Sequence, residues 1–202
     1  MVERTRIDGF WKAISPLLEK VLTNPENEGL IKQIDNLVST FGDYDWEYGP
    51  SNKTEYYFCL SPNFQEDLID EVDEIVSFAP SLSGWEYLSC KPRKPEVFSW
   101  VMLNENDEEI TVDTRKWKCV VYKFPDNTVD LDVKIDDVRG NSDTQNLAVD
   151  IHLTNVLGER NYIKIVKGVS IVSQFAEKDR LRSIPVHELF EVIAKHVPNI
   201  TN

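Results

Sequence analysis

The chain has 202 residues, of which 41% are apolar and 28% charged, so it can build a real core and is too apolar to stay disordered. Its net charge of −13 opposes binding to nucleic acid phosphates or to an anionic membrane, and it permits a basic protein partner. No apolar run approaches the roughly 20 residues that span a bilayer, and the N-terminal segment carries charges throughout rather than a signal-like apolar stretch, so a cytoplasmic protein is expected.

In chain order, Phe10, Trp11, Ile14, Leu17, Leu18 and Val21 recur at helical spacing and predict an amphipathic helix over 5–22, with Pro16 kinking it or breaking it near Ser15. A second helix over 26–40 follows after Asn24-Pro25, which makes a helical hairpin. Trp46 and Tyr48 alternate with acids as a strand, and an aromatic strand over 54–60 comes next. Asn63 with Glu66 has capping-box spacing for a helix ending near Ala79, and a strand over 85–90 completes a β-β-α-β order. A basic, proline-rich loop, Lys91-Pro92-Arg93-Lys94-Pro95, leads to strands over 97–103 and 110–113.

The clearest stretch is 117–157. A strand over 117–124 meets Pro125-Asp126-Asn127, and the return strand over 128–136 sends Val129, Leu131, Val133 and Ile135 one way and acids with Lys134 the other. Ser142 with Gln145 predicts the cap of a helix reaching Leu157. A strand over 162–172, a polar loop over 173–183 and a last helix over 185–196 close the chain. The fold class expected is α+β: an N-terminal helical hairpin, then mainly antiparallel, hairpin-rich sheet covered by helices, with two β-β-α-β units. One globular unit is expected over 1–202, with 1–92 and 96–202 as the division if it has two packed subdomains.

Candidate chemistry is sparse. Asp126, Asp132 and Lys134 match a PD…D-x-K metal-nuclease pattern, yet six strand residues put the two carboxylates roughly 20 Å apart, too far to share a metal. His187-Glu-Leu-Phe-Glu191 resembles the zinc-hydrolase H-E-x-x-H with glutamate last, which places His187 and Glu191 one turn apart. No nearby His or Cys supplies a third ligand, and His196 lies further along the helix, so a surface His–Glu pair accounts for the motif as well. His152 falls on an apolar helix face, where a histidine is more often core than catalyst. Cys59, Cys90 and Cys119 are odd in number and widely spaced, which fits buried thiols in a reducing compartment. Arg180 and Arg182 make a second, smaller basic pair.

The strongest binding candidate in the sequence is the cluster Lys91, Arg93 and Lys94 with Trp85, Tyr87 and Trp100. It reverses the local sign of an acidic chain beside aromatic anchors, and its prolines lower the cost of ordering the loop. No catalytic set, cofactor fingerprint or metal motif is implied.

Phe10-Trp11, Ala79-Pro80-x-Leu82-x-Gly84-Trp85-Glu86, Leu157-Gly158-Glu159 and Pro185-x-x-Glu188-Leu189 together resemble a family of uncharacterised bacterial proteins of about this length. The resemblance implies a bacterial domain over the whole chain and no catalytic residues. The function expected is a cytoplasmic, non-enzymatic binding protein of acidic immunity or accessory type, with a metal-dependent hydrolase using His187 and Glu191 as the alternative.

Overall fold

The computed structural model describes residues 2–198 and 200. The chain is α+β and divides into two compact units, Met1–Lys91 and Pro92–Asn202, each with its own hydrophobic core.

The first unit opens with α1 (Arg4–Thr23) and α2 (Glu28–Phe41). Helix α1 passes through Pro16 without the predicted break. Pro16 and Lys12, whose carbonyl loses its partner, both lie on the exposed side, where water can serve that carbonyl. The buried side is the predicted one, with Ile7, Phe10, Trp11, Ile14 and Leu18 in the core. At the start of α2 the Asn27 side chain accepts from the Leu30 N–H at 3.1 Å.

Strands β1 (Asp45–Pro50) and β2 (Tyr56–Ser61) pair antiparallel, and β3 (Trp85–Leu88) lies parallel on the other side of β2. The chain crosses from β2 to β3 through a 3₁₀ turn at Glu66–Leu68 and helix α3 (Ile69–Ser77). Asn63 is not the expected N-cap: it has φ +50°, and the turn is entered from Gln65 with no side-chain cap. Trp11 ties α1 to α3, its indole N–H donating to the Ile75 carbonyl at 2.9 Å.

The second unit begins with a free-standing pair, β4 (Ser99–Leu103) and β5 (Glu109–Asp113). A four-stranded sheet follows in the order β8-β7-β6-β9, built from β6 (Lys118–Lys123), β7 (Val129–Lys134), β8 (Val166–Ile171) and β9 (Ile184–Pro185). Strands β6 and β7 are antiparallel with Val121 opposite Leu131, and β7 and β8 are parallel. The face of Val129, Leu131 and Val133 is buried, as the alternation demands. Helices α4 (Ser142–Leu157) and α5 (Glu159–Ile165) carry the crossover, and α6 (Leu189–Ala194) ends the unit. Both units therefore run hairpin, helix, then a strand parallel to the hairpin's second strand.

Four further local expectations are corrected. Asn141, not Ser142, caps α4, its side chain accepting from the Thr144 N–H at 3.0 Å. The expected strand over 162–172 is strand only from Val166. Gly158 at φ +77° stops α4, and α5 restarts with Tyr162 and Ile165 three apart on one helical face. The expected final helix over 185–196 is a strand end, a 3₁₀ turn at Val186–Glu188 and the short α6, and the polar loop before it holds a 3₁₀ segment at Glu177–Arg182.

Candidate interaction surfaces

The sequence-based binding cluster divides between the two units. In the first, Trp85 is buried in the core, and Tyr87 packs edge-on against Trp11 with ring centroids 5.0 Å apart. Lys91 is engaged by the Asp45 carboxylate and stands 5.8 Å from the Phe64 ring centroid. In the second, Arg93 donates to the Val156 carbonyl at 2.8 Å and lies over the Phe190 ring, 3.3 Å from its centroid, with the Glu191 carboxylate 3.9 Å away. The Lys94 N–H donates to the Asn155 carbonyl at 2.7 Å. Trp100 is half-buried and stacks on His152 at 6.0 Å. Lys91 and Arg93 therefore each hold their own unit together, with side chains turned to a carbonyl, carboxylates and rings, and Lys94 is tied in through its backbone.

Asp126, Asp132 and Lys134 are engaged separately. Asp126 accepts from the backbone and hydroxyl of Thr128 in the turn, at 3.1 and 2.7 Å. On the sheet, the Tyr122 hydroxyl lies 2.8 Å from Asp132 and 3.2 Å from Asp179, two carboxylates competing for its one proton. That arrangement, with the Asp132 bond the largest cause, pushes the phenol up to about 12. Lys134 stands 3.9 Å from Asp136.

His187 is in the 3₁₀ turn before α6, its ring edge-on to Phe98 at 5.6 Å and its Nδ1 buried without a partner among the described residues. Glu191 is on α6, largely exposed and beside Arg93. His152 is 1% exposed between Trp100 and Trp117, and neither ring nitrogen has a partner among the described residues. Burial first, and the nearby His187 second, bring its pKa down to about 4.

A surface that the sequence reading missed is the outer face of the β4–β5 pair. Alternation turns Trp100, Met102, Ile110 and Val112 onto the core and leaves Val101 and Leu103 outside, 59% and 54% exposed. Their cross-strand neighbours are Thr111 and Glu109, with Asp113 opposite Ser99. Between Ser99 and Asp113 the chain has Glu105, Asp107, Glu108, Glu109 and Asp113, and no lysine or arginine. A groove of about 630 Å³ runs along β5, lined by Glu109, Ile110, Thr111, Asp137 and Arg139. The sequence signal for this face is an even-spaced apolar pair on the polar phase of an alternating strand: Trp100 and Met102 fill the inner phase, so Val101 and Leu103 have no core to enter.

The short motifs at Phe10-Trp11, Trp85, Gly158 and Leu189 all fall on packing or chain-reversal positions: the first, second and last are core, and Gly158 separates α4 from α5. Among the described residues no helix is long and apolar enough to cross a membrane. Set against known proteins, the chain matches no family model, no curated protein and no solved structure.

Proposed function

We propose that this chain is a non-enzymatic binding protein of immunity or accessory type that covers a basic partner with the outer face of its β4–β5 pair. The observation that carries the reading is the exposure of Val101 and Leu103 side by side within an acid-only segment. Two neighbouring aliphatic side chains half out of water on one strand face lower the free energy when a partner covers them. The surrounding carboxylates select a cationic partner, speed its approach and orient it. Strand pairs with open edges also accept a further strand, so the partner's main chain can add to its side-chain contacts. The three cysteines, none of them in a disulfide among the described residues, support placing this activity in the reducing cytoplasm.

The test is a calorimetric titration with a lysine- and arginine-rich peptide carrying two leucines at alternate positions, at low and at moderate salt. Saturable binding that weakens with salt and is lost in the Val101→Ser/Leu103→Ser double variant supports the reading. Equal binding by wild type and variant contradicts it. Stoichiometric zinc binding abolished by His187→Ala would instead favour a metal-dependent hydrolase.

A further inference from the structure

At the opposite end of the charge distribution, a cleft of about 430 Å³ in the second unit is lined by Val121, Lys123, Arg182, Ile184 and Val192. Among the described residues, strand β9 pairs with β6 only at Lys118 and Cys119, and no strand covers the outer edge of β6 beyond them. Val121 and Lys123 share the side-chain phase that faces α6. Val192 reaches the cleft from α6, and Lys195 follows it by three residues, on the same side of the helix.

The cations of this cleft are prepared in two different ways. Arg182 is fixed: its guanidinium donates to the Val121 carbonyl, stands 3.3 Å from the carboxylate of Asp179 and lies 5.2 Å from the Tyr122 ring centroid. Asp179 is itself 3% exposed, so this support is built into the fold. Lys123 and Lys195 are exposed, and neither has a carboxylate partner among the described residues. Partial burial lowers the pKa of Lys123, and repulsion from Arg182 and Lys195 lowers it further, so Lys123 feels both of these charges. Gathering like charges is unfavourable, more so in a chain that has 35 acidic residues available to separate them. An anion placed among them removes that repulsion.

We infer that this cleft binds a small amphipathic carboxylate. The acid group would meet Lys123, Lys195 and the exposed side of Arg182, and a short aliphatic tail would lie on Val121, Ile184 and Val192. The volume is in the range of small-molecule sites, roughly 300–1,000 Å³. Arg182 already occupies the Val121 carbonyl, the acceptor that an added strand would need, so a free acid fits this edge better than the end of an extended peptide. The site is independent of the β4–β5 surface.

The experiment is a calorimetric titration of the full chain with octanoate, with octanol, with inorganic phosphate and with a tetrapeptide ending in leucine carboxylate. The same series is run on Lys123→Gln/Lys195→Gln, two exposed positions whose thermal melt checks folding. The expected result is saturable binding of octanoate, none of octanol, and affinity at least about tenfold weaker in the double variant. The inference is overturned if octanoate does not bind, if it binds the folded variant equally well, if phosphate binds as tightly as octanoate, or if only the peptide binds.

Discussion

Both nitrogens of His152 are buried with no hydrogen-bond partner among the described residues, and the consequence is a pH dependence with a definite sign. The folded protein holds the ring at a pKa of about 4, against an ordinary value of 6.5. Between those values the unfolded chain binds a proton that the folded one does not. This contribution is therefore fully present above pH 6.5, falls as pH drops towards 4, and levels off below, a total of about 3 kcal/mol at 1.36 kcal/mol per unit. Denaturant melts of wild type and His152→Phe across pH 7 to 4 should show the variant with the shallower acid slope; parallel slopes would mean that the ring is already satisfied. On the central hairpin, Leu131 is 1% exposed, and Leu131→Asp should cost several kcal/mol, roughly 3–5, as a buried unpaired charge. The polar face is not neutral, because Asp132 accepts from Tyr122, so Asp132→Ala should cost about 1 kcal/mol rather than nothing. Comparable losses from the two in denaturant melts would place the faces wrongly. The thiols order themselves by burial: Cys59 and Cys119 are enclosed, with burial pushing Cys119 up to about 12, and Cys90 is half-buried. A thiol reagent followed by mass spectrometry should label Cys90 first and the other two only on unfolding.

At the scale of the element, periodicity in the sequence was informative where one face of a helix or strand is buried and the other wet. Helix α1, helix α2 and strand β7 have that contrast, and most of the residues the spacing selects are buried there, although it passes over Ile7 and Phe41. It failed where burial loses its sidedness or where chain reversals decide. Helix α4 is buried on all sides from His152 to Leu157, so its spacing says little about what faces what. At 162–165 the apolar residues fit both periods, and only the positive φ of Gly158 and the new first turn at Glu159 select a helix. Site residues were harder to read for a related reason. Sequence marks a cation or a tryptophan as available, but Arg93 and Lys91 meet carbonyls, carboxylates and rings brought in from distant segments. Conversely, Val101 and Leu103 look like ordinary strand residues until the pairing register shows that the core is already filled by Trp100 and Met102. Pro16 offers an element-scale test. The helix accommodates it on the exposed side, so Pro16→Ala should restore a backbone bond and raise stability by roughly 1–2 kcal/mol. An unchanged denaturation midpoint would show that the helix has already relaxed around the proline.

The whole molecule is two cores on one acidic chain, with aliphatic and acidic groups concentrated on the β4–β5 face and a small island of cations at the β6 edge. The cores share no residue, so fragments 1–91 and 92–202 should each unfold cooperatively in denaturant when produced alone; a fragment that melts gradually would show that its core is incomplete without the rest of the chain. The charge pattern makes the binding account specific: a basic partner should go to one face, although the whole chain attracts it. Backbone amide shift mapping during titration with the leucine-bearing basic peptide tests this most directly. Shift changes concentrated over 99–113, with those at Val101 and Leu103 among the largest and persisting at moderate salt, are expected. Small changes scattered over acidic positions throughout the chain, or changes centred on His187 and Glu191, would contradict it.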